Sequence, residues 1–422
     1  VSSPTLALAD PATFADGVPH EALAELRRST PVAWQPMGPA SSEPSPPGRR
    51  PGSEDGDGQA GFHAVLTHAD VVAVARQPVL FSASEGGVVL EDLAPENLEM
   101  MRHMLLAMDP PRHVTHRKPL AETFTAKVIG GLEEEIRGIC RALMSDAAEA
   151  GEVEFVPDVT AHLPTQVMGR LMGLPVDDWA LLHRLAERQT ASQDPEVAGE
   201  DASSSSIEMA MYAIAFAGER RSQPPREDLT TLILEGDFGG EPMSDVDFGS
   251  FFVQLVTAGN DTTKTMLSSG LLALLEHPDQ LAALRADPSL MGGAVEEILR
   301  WANPLHYFRR TATADTELHG VPIAAGDKVA MYYTAANRDD AVFADAQRFD
   351  IGRHPNPHLS FGIAEHFCLG VHLARLEGRV FFEELLAAFA TIELTGDPVR
   401  LRSNLNNSYK RVPVRLGVDA RA

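Results

Sequence analysis

Cysteine is nearly absent: the 422 residues hold two, Cys140 and Cys368. Two thiols cannot build a disulfide framework, a four-thiolate zinc site or an iron–sulfur cluster held by this chain alone. Such scarcity fits a reducing compartment, so the cytoplasm is the expected location. No run of 18 or more apolar residues occurs, and the first residues have neither a basic start nor a continuous apolar stretch. Neither a membrane anchor nor a secretory signal is therefore expected. Positive charge is also scarce, with 35 Lys and Arg against 60 Asp and Glu and a net charge of -25. That balance argues against a nucleic-acid partner or a broad anionic-membrane footprint, while leaving room for a local basic patch. What remains, 44% hydrophobic and 23% charged residues, is the composition of a globular chain able to bury a large core.

Residues 35–61 are rich in Pro, Gly, Ser and Asp and carry too little apolar surface to order themselves, so they are expected to form an exposed, flexible insertion. Gly56, Gly58 and Gly61 match a dinucleotide-binding pattern, but polar low-complexity sequence precedes them and a strand-like segment follows, the reverse of the required strand–turn–helix order. No flavin or nicotinamide site is expected. Beyond Thr67 helical periodicity dominates, in 69–76, 119–124, 129–150, 159–172, 179–189 and 207–221. A polar connection at 190–206 suits either a mobile lid or a plain solvated link between helices. Strand-like pieces at 316–318, 321–323, 328–333, 392–394 and 412–416 predict small sheets. No repeat or linker splits the helical body, so one large, mainly α domain with small β-sheets is expected over 1–422.

Three constellations carry chemistry. The first is a long helix after Ser244, which has capping-box-like spacing with Asp247 and stops at Pro278. Apolar residues recur on several of its faces, so it runs through the interior, yet its middle reads Ala258-Gly259-Asn260-Asp261-Thr262-Thr263. A mid-helix glycine costs about 1 kcal/mol and a buried carboxylate more, so packing alone is a poor reason for them. Gly259 lets a group approach the backbone, a threonine bonding back to the preceding turn opens a groove, and an acid beside an alcohol suits proton delivery where water is excluded. The second is 361–370, Phe-Gly-Ile-Ala-Glu-His-Phe-Cys-Leu-Gly, which places Cys368 at the start of a helix, where the dipole favours a thiolate and metal ligation. Cys140, among Ile136, Ile139 and Leu143, reads as a small core residue. The third, Glu297 with Arg300, is one helical turn of opposite charges, a pattern that surface pairs share.

Taken in order, Ala-Gly-Asn-Asp-Thr-Thr at 258–263, Glu297 with Arg300, and Phe361, Gly362, His366, Cys368 and Gly370 resemble the cytochrome P-450 family of haem-thiolate monooxygenases. The resemblance extends over most of 66–416. It implies a triangular-prism, mainly helical fold, haem b with O2 as co-substrate, and Cys368 as the axial iron ligand. Asp261 and Thr262 would be the acid–alcohol pair for oxygen activation, with Ala258, Gly259, Phe361, Gly362 and Gly370 against the cofactor. Glu297, Arg300 and Arg348 would form a structural ion-pair network beneath it. His113, Arg117, Arg310 and His358 match propionate positions, where cationic donors neutralise two carboxylates. Val88, Val89, Leu90, Leu93, Met101, Leu305 and His306 fall in segments that cover the substrate pocket. Ala364 departs from the family, which usually has glycine there. If that position has positive φ, alanine is strained by about 1 kcal/mol or more.

With neither flavin site nor cluster cysteines, the implied electron source is a separate ferredoxin with its reductase, docking near Arg112, Lys118, Arg375 and Arg379. The implied reaction is hydroxylation or epoxidation of a hydrophobic small molecule: a sterol, a terpene, a fatty acid or a natural-product intermediate. A haem-binding sensor or carrier is the competing class, disfavoured by the Asp261–Thr262 pair. A zinc site from His354, His358, His366 and Cys368 has acceptable ligand types but irregular spacing.

Overall fold

The computed structural model describes residues 6–37, 61–197 and 202–418. The helices that frame its interior are α1 (Arg112–Thr123), α2 (Glu133–Ala150), α3 (His162–Leu171), α4 (Trp179–Thr190), α5 (Ala202–Arg221), α6 (Asp245–Glu276), α7 (Met291–Ala302) and α8 (Val371–Ala388). The longest, α6, starts where Ser244 Oγ accepts the Asp247 N–H at 3.1 Å and ends before Pro278, as the capping spacing predicts. Its 32 residues rise about 48 Å. It packs against α3, α4, α5, α7 and α8, which explains why apolar residues occur all around it. A continuous hydrophobic core joins these helices, with Phe252 of α6 against Tyr212 of α5 and Gly270 of α6 close to Phe382 of α8.

The helical expectation is met, and the strands include several that periodicity missed, among them Val32–Pro36, Phe81–Ser82 and Tyr307–Ala312. A five-stranded sheet runs in the order β1 (Val32–Pro36), β2 (Gly61–Val65), β5 (Lys328–Tyr332), β4 (Tyr307–Ala312), β3 (Phe81–Ser82). The β2–β5 pair is parallel and the others antiparallel. Strand β4 hid because its centre, Arg309-Arg310, is charged yet buried. Small two- and three-stranded sheets use the other expected pieces.

Most of the expected insertion, 38–60 with Gly56 and Gly58, lies outside the described residues. Its edges are ordered: Gln35 pairs with Phe62 and Pro36 with Gly61. A Cβ on Gly61 would sit 2.4 Å from the Trp34 ring, so close packing demands that glycine. In the 190–206 connection, residues 191–197 form turns and α5 begins at Ala202, before the serines expected to be loop. Among the described residues no helix is long and apolar enough to cross a membrane.

Candidate active site

The middle of α6 breaks the burial of the rest. Ala258 is exposed and Gln254, Leu255 and Thr262 are half-buried, although the helix runs between five others. An accessible face deep inside a molecule borders an internal space. Thr262 Oγ1 donates to the Ala258 carbonyl at 2.7 Å, the back-bond to the preceding turn that the sequence suggested. Gly259 points elsewhere: a Cβ there would meet Met168 of α3 at 3.1 Å. Its smallness lets α3 approach α6, a packing reason for the glycine beside the expected cofactor contact.

Asp261 also turns away from its neighbour, because adjacent residues point about 100° apart on a helix. It is buried, and its Oδ1 lies 3.0 Å from Lys264 Nζ. Lys264 in turn lies 3.6 Å from Glu187 of α4. These three share a small cleft with His183 and Thr190. Acid and alcohol thus occupy two compartments rather than one polar pocket. On the α8 side, Thr263 Oγ1 donates to Glu377 at 3.2 Å, and burial pushes the Glu377 carboxyl up to about 8.

Cys368 sits on a tight loop closed by the Cys368 N–H to the Phe361 carbonyl at 2.8 Å and the Phe367 N–H to the Ala364 carbonyl at 3.1 Å. Gly362 has φ 67° and Ala364 φ 61°, so alanine does occupy a left-handed position that glycine would tolerate better. Gly370 lies just past the thiol and caps α8. Burial raises the Cys368 thiol, against the Gly370 N–H, Arg117 and Arg375, which lower it. The helix start alone therefore does not make a thiolate here; a metal cation at the sulfur would.

Beside this loop gather two arginines and two imidazoles, with Arg310 and His113 buried and Arg117 and His366 half-buried. The His113 and His366 rings lie against each other at 45° with centroids 4.3 Å apart, and among the described residues both His113 ring nitrogens and His366 Nε2 have no hydrogen-bond partner. Arg310 is 5% exposed and donates to the Arg309 carbonyl. Arg117 donates to the Phe367 carbonyl at 2.5 Å. Burial, then Arg117 and Arg310, hold His113 down to about 4, and burial, then Arg310 and His113, hold His366 down to about 2. The nearest acid, Asp109, is taken by Ser82, Ser84 and the Ala83 N–H. Unmet buried ring nitrogens beside two arginines are costly unless an acceptor or anion arrives, and a cofactor with two carboxylates fits them.

Three site expectations are corrected. His358 does not join this cluster: its Nε2 bonds Glu296 at 3.2 Å and its Nδ1 accepts the Ser360 N–H. His366, two residues before the cysteine, stands there instead, and its place inside the cysteine motif was the available signal. Arg348 is exposed and offers its carbonyl to Arg300. The second arginine on Glu297 is Arg353, at 3.2 Å. Glu297 and Arg300 are fully buried and bidentate, at 2.8 and 2.7 Å. Leu90 and His306 face away from the internal space. Leu90 packs with Phe62, Tyr307 and Tyr332, and His306 stacks on Phe14 at 4.2 Å and bonds Thr334. Val88, Val89 and Met101 form one apolar wall with Leu106 and Phe308. Leu93 and Met101 flank Gly87, and Leu305 bridges to Asn406.

The basic patch is largely neutralised from within. Arg112 pairs with Asp247, Arg375 with Glu296 and Arg379 with Glu133 and Glu383, at 2.6 to 3.2 Å; Lys118 is exposed. The zinc reading fails, because among the described residues no three His, Cys, Asp or Glu side chains converge as ligands.

The cytochrome P450 family model matches residues 204–411. A steroid C26-monooxygenase of Mycolicibacterium smegmatis is 38% identical over 93% of this chain and 89% of that protein. The chain belongs to the cytochrome P450 family. A methyl-branched lipid omega-hydroxylase of Mycobacterium bovis is 36% identical over 94% of this chain and 91% of its own length. The solved structure of the Mycobacterium marinum P450 CYP268A2 in complex with pseudoionone is 35% identical, covers 98% of both chains and superposes with a TM-score of 0.86. This P450 is accordingly a monooxygenase that uses haem b and O2, with the mixed α+β fold of the family.

Proposed function

We propose that this P450 hydroxylates a bulky, largely apolar molecule of the steroid or branched-lipid class, with electrons from a separate ferredoxin and its reductase, as one cytoplasmic domain. The gathering of His113, Arg117, Arg310 and His366 beside Cys368, none of them ion-paired with a carboxylate among the described residues, carries the assignment of the site. Cys368 would hold the iron of bound haem, and Arg117 and Arg310 with His113 and His366 would receive its propionates. Bound haem supplies the iron at which dioxygen is split between substrate and water. The protein's part is to exclude water, orient the substrate and manage protons. Apolar Val88, Val89, Met101, Leu106 and Phe308 line one wall and favour an apolar guest. The substrate class rests on the names of the relatives together with that wall.

Thr262, held against the Ala258 carbonyl, still has lone pairs to order a water on the open face. Asp261 reaches that face only through such a water or a side-chain turn, and its ion pair with Lys264 restrains the turn. Thr262→Ala is expected to leave substrate affinity nearly unchanged and to lower product formed per reduced cofactor several-fold, with peroxide rising. The decisive experiment is spectral. The reduced, CO-bound protein is expected to show the red-shifted Soret band of thiolate ligation, and a screen of steroids and branched lipids to displace the water on the iron. A normal haem spectrum with no response to either class would sink the substrate assignment.

A further inference from the structure

Val88 and Val89 stand in the apolar wall, yet the chain at 84–94 that carries them is turns and bends with no ladder of its own. Groups of the sheet behind it hold its backbone instead. The Arg309 N–H donates to the Val88 carbonyl at 2.8 Å, the Leu90 N–H to Tyr307 Oη at 3.2 Å and Lys328 Nζ to the Leu90 carbonyl at 2.9 Å. The Arg309 guanidinium faces the Val89 and Glu91 carbonyls at 3.4 Å and leaves no room for a Cβ on Gly86. Arg309 and Lys328 are 4% and 9% exposed. They sit on adjacent strands, Lys328 opposite Thr311 two residues beyond Arg309, so like charges are packed side by side, which is costly unless an anion joins them. One carboxylate does: Asp92 lies 3.2 Å from Arg309 and 2.8 Å from Lys328. Its neighbour Glu91 is turned to Gln193 and Asn404, and among the described residues no other acid pairs with either cation.

We infer that Asp92 is a positioning residue for the monooxygenase reaction: by neutralising Arg309 and Lys328 it keeps both cations on the carbonyls of 89–91 and so sets the Val88–Val89 wall against the substrate. This deepens the proposed function and rests on it, since that reading makes the wall part of the pocket. Asp92 itself is turned outward, its side chain 69% exposed, and acts only through the two cations. Without its charge they repel each other beneath a segment that has no regular hydrogen bonding. That segment yields before the helical core does.

The test needs no natural substrate. The probes are imidazole and an imidazole carrying a biphenyl arm, which share the nitrogen that binds iron and differ in apolar surface. Soret titration of wild type is expected to show the biphenyl probe bound about tenfold tighter or more, through burial of the arm. Asp92→Asn keeps the shape and removes the charge. It is expected to weaken the biphenyl probe about tenfold, the loss of roughly 50 Å² of apolar contact, while imidazole itself stays within about twofold. Asp92→Glu restores the charge and is expected to bring biphenyl affinity back to within about threefold of wild type. Hydrogen exchange in Asp92→Asn is expected to quicken at 84–94 and to stay unchanged in α6. Unchanged biphenyl affinity in Asp92→Asn, equal losses for both probes, faster exchange throughout α6, or a glutamate variant as weak as the asparagine one would overturn the role of Asp92. A wild type that binds the biphenyl probe no tighter than imidazole would instead overturn the wall as part of the haem pocket, and the proposed function with it.

Discussion

Two groups of buried charges lie in this enzyme, and they differ in saturation. Around Glu297 the two central groups are saturated: its carboxylate receives Arg300, Arg353, Asn356 Nδ2 and the Asp350 N–H, while Arg300 also reaches the carbonyls of Asn337, Ala346 and Arg348. Around His113 and His366 ring nitrogens go unmet, and Arg310 feels only the longer-range pull of Asp109, whose oxygens are held by Ser82, Ser84 and the Ala83 N–H. The first arrangement is complete in the protein alone and stabilises the fold. The second is complete only with a bound anion. Buried charge by itself marks neither structure nor function; the count of unmet partners separates them.

Breaking the complete network carries the largest expected effect. Glu297→Ala leaves Arg300 and Arg353 facing each other without an anion, and unfolding is expected to become easier by about 3–5 kcal/mol, read by denaturant melts. A loss below about 1 kcal/mol would reduce the network to a surface-like pair. Arg310→Met tests the incomplete cluster and has the opposite signature. Cofactor-free protein is expected to be as stable as wild type or more so, since an unbalanced cation is removed. Transfer of haem to an external acceptor protein is expected to speed up about tenfold, the worth of one charge-assisted hydrogen bond. Equal destabilisation of both forms would show that Arg310 belongs with Glu297.

Glu377 sharpens the contrast through pH. Its folded carboxyl keeps its proton up to about 8, whereas the unfolded chain releases it near the ordinary glutamate value. Between those values the folded state binds the extra proton, so this residue lowers stability as pH rises, by about 1.4 kcal/mol per unit. Glu377→Gln is expected to flatten that decline in melts at pH 5.5, 6.5 and 7.5 and to change little below pH 4.5. An unchanged slope would mean that Glu377 is ionised and compensated. The smallest effect is local strain: Ala364→Gly is expected to raise stability by at most about 1 kcal/mol, with the haem spectrum unchanged. A destabilised variant would show that the alanine methyl contributes packing that outweighs its φ of 61°.

Chemical types and helix limits were legible in the chain because they rest on local rules. Ser244 capping α6, the threonine back-bond, and the cysteine placed before α8 all involve residues within a few positions of each other. Identity and direction of distant partners were not. His358 and His366 are the same residue type eight positions apart, and the loop path sends one to Glu296 and the other to His113. Arg348 and Arg353 differ only in which side chain the turn at 345–353 carries inward. Leu90 and His306 were turned to the other side of the sheet by contacts with Tyr307 and Phe14, more than 200 residues away in the chain. Gly259 answers to Met168 of another helix. The sequence by itself determined the helical architecture, the family and the thiol, since these follow from periodicity and short motifs. Only the tertiary structure decided which charges meet, which remain unmet and which faces border the interior, because those depend on the directions in which packed elements aim their side chains.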